Sequence, residues 1–180
     1  KTPYMVSMND ERIQDVNGDF NIGRFYSYVS TVKKRNEFIA EHIQRALAGG
    51  RKILCITHSR PGVEAIVDLV EGAGAIHGGV KHDSRIDILR SHQVVIATAG
   101  CAEEALNAPA LDTIMFLTPY KVWRTFQQGV GRAQRRAEGK KNPVVVLFDD
   151  YLMRPADGLM VKLRRKLRAN GYIFSSVDPR

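Results

Sequence analysis

The densest phosphate-seeking chemistry in the sequence lies in one run: Gln127, Gln128, Gly129, Gly131, Arg132, Gln134, Arg135 and Arg136. Residues 122–136 are patterned as a helix, on which Gln128, Arg132 and Arg135 are separated by four and three residues and so project from one face. That face offers one amide and two guanidiniums. Two planar forks aimed the same way match the spread negative charge of a triphosphate, because Arg contacts phosphate oxygens in bidentate fashion. Each glycine in a helix interior costs roughly 1 kcal/mol against Ala, a choice that makes sense where something must approach closely. The rival reading is an ordinary solvated face.

A second set of polar residues follows apolar, strand-like runs: Thr57-His58-Ser59-Arg60, His77-Gly78-Gly79, Thr98 and Thr118. In doubly wound folds ligands sit beyond the carboxyl ends of the strands. Small hydroxyls and glycines there suit close approach to a phosphate backbone, although the same residues also make turns and caps. Other chemistry is missing. The only Gly-Lys, Gly139-Lys140, has Gln134 where a phosphate loop needs its first Gly and Lys141 where it needs a hydroxyl. Gly72, Gly74 and Gly78 have the wrong spacing and order for a dinucleotide fingerprint, so a nucleotide-binding oxidoreductase fails. VVVLFDD (Val144 to Asp150) imitates a metal-binding strand end, but without a phosphate loop Asp149 and Asp150 read as a strand-end cap or surface pair.

The elements that must position these groups alternate. A helix is expected from Val32 to Leu47, capped by Ser30 or Thr31, with a stripe of Phe38, Ile39, Ile43 and Leu47 and a stop at Gly49-Gly50. A strand at Lys52 to Thr57 precedes a helix opened by Pro61 and carrying Val63, Ile66, Val67 and Val70. A short strand near Ala75-Ile76, a helix at 82–91, a strand at Val94 to Thr98 and a helical turn at 101–106 follow. Then come a strand at Thr113 to Thr118, the helix at 122–136, a strand at Val144 to Phe148, and a last helix from near Asp157 to before Gly171. Five strands with covering helices predict an α/β, doubly wound, mainly parallel sheet with helices on both faces. Residues 1–29 stand outside this scheme. Their packed turn signals, Asn9-Asp10, Asn17-Gly18-Asp19 and Asn21-Ile22-Gly23, predict an initial strand over Tyr4, Val6 and Met8 followed by a loop or hairpin.

Composition narrows the partners. The 180 residues are one domain's worth, and 44% apolar content supplies a core without a disulfide or metal staple. Twenty-seven Lys and Arg against nineteen Asp and Glu give a net charge of +8, which favours a polyanionic partner. Cys55 and Cys101 each sit in an apolar run and read as buried thiols in a reducing compartment. No run approaches the ~18 apolar residues of a membrane span, and the first residues lack a signal peptide's pattern, so an intracellular, cytoplasmic or nucleoid-associated protein is expected. Lys1 in place of Met suggests a processed chain or a piece of a longer one. On the last helix Leu159, Met160, Leu163 and Leu167 form a packing stripe opposite Lys162, Arg164, Arg165, Lys166 and Arg168, either a nucleic-acid track or a solvated basic face.

Gln128-Gly129-Val130-Gly131-Arg132-Ala133-Gln134-Arg135 resembles Q-x-x-G-R-x-x-R, motif VI of superfamily 2 helicases and translocases. Other segments fall in that family's order: Lys52 to Arg60 is similar to motif IV, Ile76 to Arg85 resembles the H-G stretch that follows it, and Val94 to Pro119 is similar to motif V and its next strand. The resemblance covers roughly residues 30–150. It implies the second, C-terminal RecA-like domain of a DExH-type motor at 30–180, preceded by an extension at 1–29.

In that family ATP and Mg²⁺ are held mainly by an N-terminal RecA-like domain, and the second domain adds arginines. The resemblance therefore implies Arg135 as arginine finger, Arg132 as a second phosphate contact and Gln128 as a polar partner in the cleft. Ala105 and Asn107, standing where relatives have Gly and Asp, would lie at the nucleotide. Ser59, Arg60, Gly78 and Thr98 would hold a phosphodiester backbone without reading bases. Ala99 replaces a common Asp, and with Asn107 it makes the match better to DExH-like translocases than to DEAD-box RNA unwinders, so DNA is favoured over RNA. The chain is expected to be inactive alone, holding half of an ATPase site. A rival from another class is a non-catalytic nucleic-acid-binding or interaction module that keeps the fold.

Overall fold

The structure is a computed structural model that describes residues 7, 9–106, 111–118, 123–133, 140–150, 152–173 and 175, with backbone only at 104, 123–125, 132–133 and 154–155. After a short 3-10 turn at Glu11–Ile13 the elements are α1 (Ile22–Val29), α2 (Lys33–Ala48), β1 (Ile53–Thr57), α3 (Arg60–Val67), β2 (Ala73–Ile76) and α4 (His82–Ser91). They continue with β3 (Val94–Thr98), α5 (Ala102–Ala105), β4 (Thr113–Phe116), α6 (Trp123–Ala133), β5 (Val144–Leu147) and α7 (Arg154–Ala169). The strands form one parallel sheet in the order β2-β3-β1-β4-β5, with Cys55 in register with Ile96 on one side and Met115 on the other.

Successive residues of a strand face opposite sides of its sheet. Ile53, Cys55, Val94, Ile96, Met115 and Leu117 accordingly pack with Ile39, Ala40 and Ile43 of α2 and Val63 and Ile66 of α3. Their neighbours Leu54, Ile56, Val95, Ala97, Ile114 and Phe116 pack on the other face with α5, with Phe126 and Val130 of α6, and with Met160, Leu163 and Leu167 of α7. Helices on both faces of a parallel sheet explain why the strands read as unbroken apolar runs. Both thiols are buried, and desolvation pushes Cys55 far above the ordinary thiol range. No helix among the described residues is long and apolar enough to cross a membrane.

Three local expectations are corrected. Ser30 and Thr31 do not cap α2, whose N-cap is Val32 without a side-chain bond. Ser30 instead ends α1, its hydroxyl donating to the Ser27 carbonyl at 3.0 Å. Residues 22–29 are helical rather than loop, because Asn21 is an N-cap whose Oδ1 accepts from the Arg24 N–H at 3.0 Å. The turn around Gly18, at φ +81°, does close a small antiparallel bridge between Gln14 and Phe20. The strand expected over Tyr4, Val6 and Met8 lies outside the described residues. Asp149 and Asp150 are not a surface pair: both are buried, Asp150 against Arg35 and Asp149 against Arg164.

The N-terminal extension is part of the fold. Ile13, Phe25 and Val29 form a third cluster with Met153 and Ala156 at the start of α7. At its other end Tyr26 stacks on His58, with ring centroids 4.0 Å apart and planes 10° from parallel. Ser30 Oγ lies 2.7 Å from Ser59 Oγ. α1 thus lies over the loops that leave β1 and β5.

Candidate functional site

Parallel strands bring all their carboxyl ends to one edge, so Ser59 and Arg60 after β1, Gly78 after β2 and Thr98 at the end of β3 share it. The loop after β1 leads to α3 on one face of the sheet, and those after β3 and β4 lead to α5 and α6 on the other. Chains departing to opposite faces open a crevice at the carboxyl end of β1, where doubly wound folds hold ligands.

Each residue at this edge is placed by a definite local cause. Ser59 is the N-cap of α3, its Oγ accepting from the Gly62 N–H at 3.2 Å and sharing a hydrogen bond with the Ser30 hydroxyl, so it is already engaged within the chain. Arg60 is exposed, 2.7 Å from Glu64 one turn along. A methyl added to Gly79 would stand 3.8 Å from Arg60 Nη1, so the guanidinium reaches the turn after β2. In that turn His77 Nδ1 accepts from the Gly79 N–H at 3.1 Å. Gly78 is exposed, and a methyl added there would meet nothing within 4 Å, so the turn does not need its missing side chain for space. Thr98 is half-buried, with the exposed Gly100 two residues on.

The β1 crevice is partly filled. His58 Nδ1 and Thr118 Oγ1 share a hydrogen bond of 2.6 Å, and burial between Tyr26 and the strand ends pushes the His58 pKa down to about 4. The ring is therefore uncharged at neutral pH and takes no anion by charge. Among the described residues, Arg60 and Gly78, both exposed, and the half-buried Thr98 border the β2–β3 side of the edge. Nothing in the sequence reading pointed to α1 as the wall of this crevice. The signals were Asn21 as a cap and the Phe25–Val29 spacing of four.

The α6 ridge lies elsewhere. The Phe126 ring is 5.1 Å from Phe116 at the end of β4, whereas a methyl on Gly129 would lie 3.6 Å from Ile114 near its start. α6 therefore descends from the carboxyl edge. Gln128 sits exposed on its outer flank, part-way down the sheet, and the structure does not gather it with Ser59, Arg60, Gly78 and Thr98. A methyl on Gly129 would make ordinary contacts of 3.5–3.6 Å with Leu106 and Ile114, and one on Gly131 would meet nothing within 4 Å, so neither glycine is required for close packing of α6. The backbone of Arg132 continues the ridge at the end of α6, and Arg135 and Asn107 lie outside the described residues. Ala105 is 0% exposed in the core beneath α6 and offers no surface to a ligand.

The donor set can be tested against the cofactors. An amide and guanidiniums on one helix suit phosphate oxygens, and they supply no oxygen anion for Mg²⁺. Among the described residues no group of three or more His, Cys, Asp and Glu could hold a metal ion.

No family model matches the chain, and no curated protein matches it. Solved structures do. T4 UvsW aligns with 87% of the chain at 14% identity and a TM-score of 0.64. The RNA-helicase Prp28 from Chaetomium thermophilum, bound to ADP, aligns with 75% at 15% identity and a TM-score of 0.57. The Pyrococcus furiosus Hef helicase domain aligns with 72% at 22% identity and a TM-score of 0.54. The chain spans 37%, 35% and 28% of those three chains. What it shares with them is the fold: a RecA-like, doubly wound α/β domain of the kind found in helicases, as the motifs imply.

Proposed function

We propose that this chain is the second motor domain of an ATP-dependent nucleic-acid helicase or translocase of superfamily 2. The observation that supports this most is the placement of the motif residues on a RecA-like sheet. Arg60, Gly78 and Thr98 bound the open carboxyl edge, where they would grip a phosphodiester backbone, with Ser59 holding the start of α3 in place. Gln128 is exposed on α6, the backbone of Arg132 lies one turn further along it, and the sequence spacing expects Arg135 to follow on the same ridge.

In this reading a nucleotide sits between that flank and an N-terminal RecA-like domain of the same parent protein, which supplies the phosphate loop and the Mg²⁺ ligands. Arg132 and Arg135 contact its phosphates, Gln128 lines the cleft, and Asn107 lies at the nucleotide, while Ala105 stays in the core. An arginine finger stabilises charge that develops during phosphoryl transfer, with an effect of ~10³ to 10⁵ on rate in GTPases. The chain alone is then inactive as an ATPase. DNA is the favoured track, held without base readout, in an intracellular setting.

The test is DNA-stimulated ATP turnover of the parent protein carrying Arg135→Ala. Turnover should fall by at least ~10³ while nucleotide binding is retained. An unchanged rate removes Arg135 from the site. A parent chain without a phosphate loop before residue 1 would leave the chain a non-catalytic binding module.

A further inference from the structure

The outer side of α1 lies beside the proposed site. Phe25 and Val29 turn inward, while Arg24, Ser27 and the half-buried Tyr28 follow one another on the flank by spacings of three and four. With Arg12 from the 3-10 turn, Thr31, and Pro61 at the start of α3, they line an open groove of about 660 Å³. Sites of roughly 300–1,000 Å³ take small organic ligands, a size range that includes one nucleotide unit.

The two guanidiniums of this groove differ. Arg12 is paired with Asp10 in two-pronged fashion, Nε–Oδ1 at 2.8 Å and Nη2–Oδ2 at 2.6 Å, so its charge is already answered. Its plane is not. Asp10 takes the edge, the Tyr28 ring covers one face with its centre 4.3 Å from Cζ, and the side chain is still 63% exposed. Arg24 is the reverse case. Its Nη1 donates to the Gln14 carbonyl at 2.7 Å, a neutral partner, and it forms no ion pair among the described residues. The exposed Ser27 hydroxyl has no partner among the described residues, and none of the acidic side chains among them lines the groove.

A flat, charge-compensated platform beside one uncompensated cation narrows the occupant. An acidic peptide would use Arg24 but gain little from a neutralised Arg12. A nucleotide uses both, since bases stack on guanidinium planes and aromatic rings while phosphate oxygens take Arg contacts. The platform also separates single strand from duplex, because bases within a duplex are stacked on one another and turn no face to the protein. The groove continues the carboxyl edge: Pro61 follows Arg60 directly, their Cα atoms about 3.8 Å apart. Resting on the reading of this chain as a nucleic-acid motor domain, we propose that the α1 groove holds one nucleotide of the single strand lying on that edge. Its base stacks on the Arg12–Tyr28 pair, and its phosphate meets Arg24 and Ser27.

The experiment measures binding of the chain to oligothymidylate and to an abasic strand of equal length across a salt series. Arg12→Lys keeps the charge beside Asp10 and removes the plane. Affinity for oligothymidylate should fall about fivefold or more, the loss of one base stack, with the abasic strand bound as before. Arg24→Gln should weaken both strands about fivefold near ~0.1 M salt and flatten both log–log salt slopes by about 0.7. Arg90→Gln, which removes the same charge near the opposite edge of the sheet, should alter neither. An Arg12→Lys chain that binds oligothymidylate undiminished overturns the inference and leaves the groove to an acidic protein surface. An equal loss on the abasic strand in that variant, or an equal flattening by Arg90→Gln, overturns it too. If Arg60→Gln weakens single-strand binding while both groove variants bind normally, this inference falls alone. A chain that binds no single strand at all removes the proposed function with it.

Discussion

Arg35 and Asp150 form a buried, two-pronged ion pair, with Nε–Oδ1 and Nη2–Oδ2 both at 2.8 Å and side chains 1% and 0% exposed. The same Nη2 donates to the Leu117 carbonyl. One guanidinium thus ties the first turn of α2 to the chain leaving β4 and β5, at the edge where the candidate site lies. Removing either partner strands a charge in the interior. Asp150→Ala should lower the unfolding free energy by about 3–5 kcal/mol in urea titration, whereas Arg35→Met with Asp150→Leu should recover most of it. A double variant as unstable as the single one would contradict this account.

Gly62 stands where α1, β1 and α3 converge. A methyl there would lie 2.7 Å from Ser30 Cβ and 2.8 Å from Thr57 Oγ1, neither of them the end of a flexible side chain. Gly62→Ala should therefore destabilise the chain by about 1–3 kcal/mol. Thermal unfolding measures the loss, and a melting temperature equal to the parent's would show that the three elements yield more easily than this packing allows.

At the open edge the expected pattern is the reverse. Gly78→Ala meets no atom and should leave the denaturation midpoint unchanged while weakening single-strand binding, because the added side chain obstructs the backbone's approach. Arg60→Gln should flatten the salt slope for single strands by about 0.7. Anisotropy titrations over a salt series read both, and intact binding in the two variants would move the track off this edge.

His58 gives the fold an acid limit. Burial lowers its pKa from 6.5 to about 4, so between those values the unfolded chain takes up a proton that the folded chain refuses. Stability then rises with pH through that window and is level above it. The difference approaches about 3 kcal/mol near the acid end, at 1.36 kcal/mol per unit. Denaturant midpoints at several pH values should show this fall in the parent and lose it in His58→Gln, and an equal acid dependence in both would assign the effect to other groups.

What the sequence made legible follows from how far apart the partners lie. β1 and β3 declare themselves as continuous apolar runs closed by Thr57 and Thr98, because both faces of a parallel sheet are covered. The α2 stripe is legible at Ile39 and Ile43, which are fully buried. The burial of Arg35 in the same helix has no local sequence signal, since it depends on a carboxylate 115 residues away. α1 was masked by its own cap: Asn21-Ile22-Gly23 has turn composition, yet it starts a helix whose apolar side is given by Phe25 and Val29. Of the ridge expected on α6, the side chain of Gln128 alone lies within the described residues, and it is exposed. The engagement of Ser59 by Ser30 and Gly62 had no sequence signal, because it joins the extension to a strand end through two hydroxyls.

The third cluster has a consequence for how the chain comes to life. Ile13, Phe25 and Val29 pack with Met153 and Ala156 at the start of α7, far along the sequence. During synthesis α1 must wait, greasy side uncovered, until the start of α7 has left the ribosome. Closure between distant stretches of sequence is entropically slow. The clasp between α1 and α7 thus joins a piece of this domain made early to one made late, and fastens only once both are present.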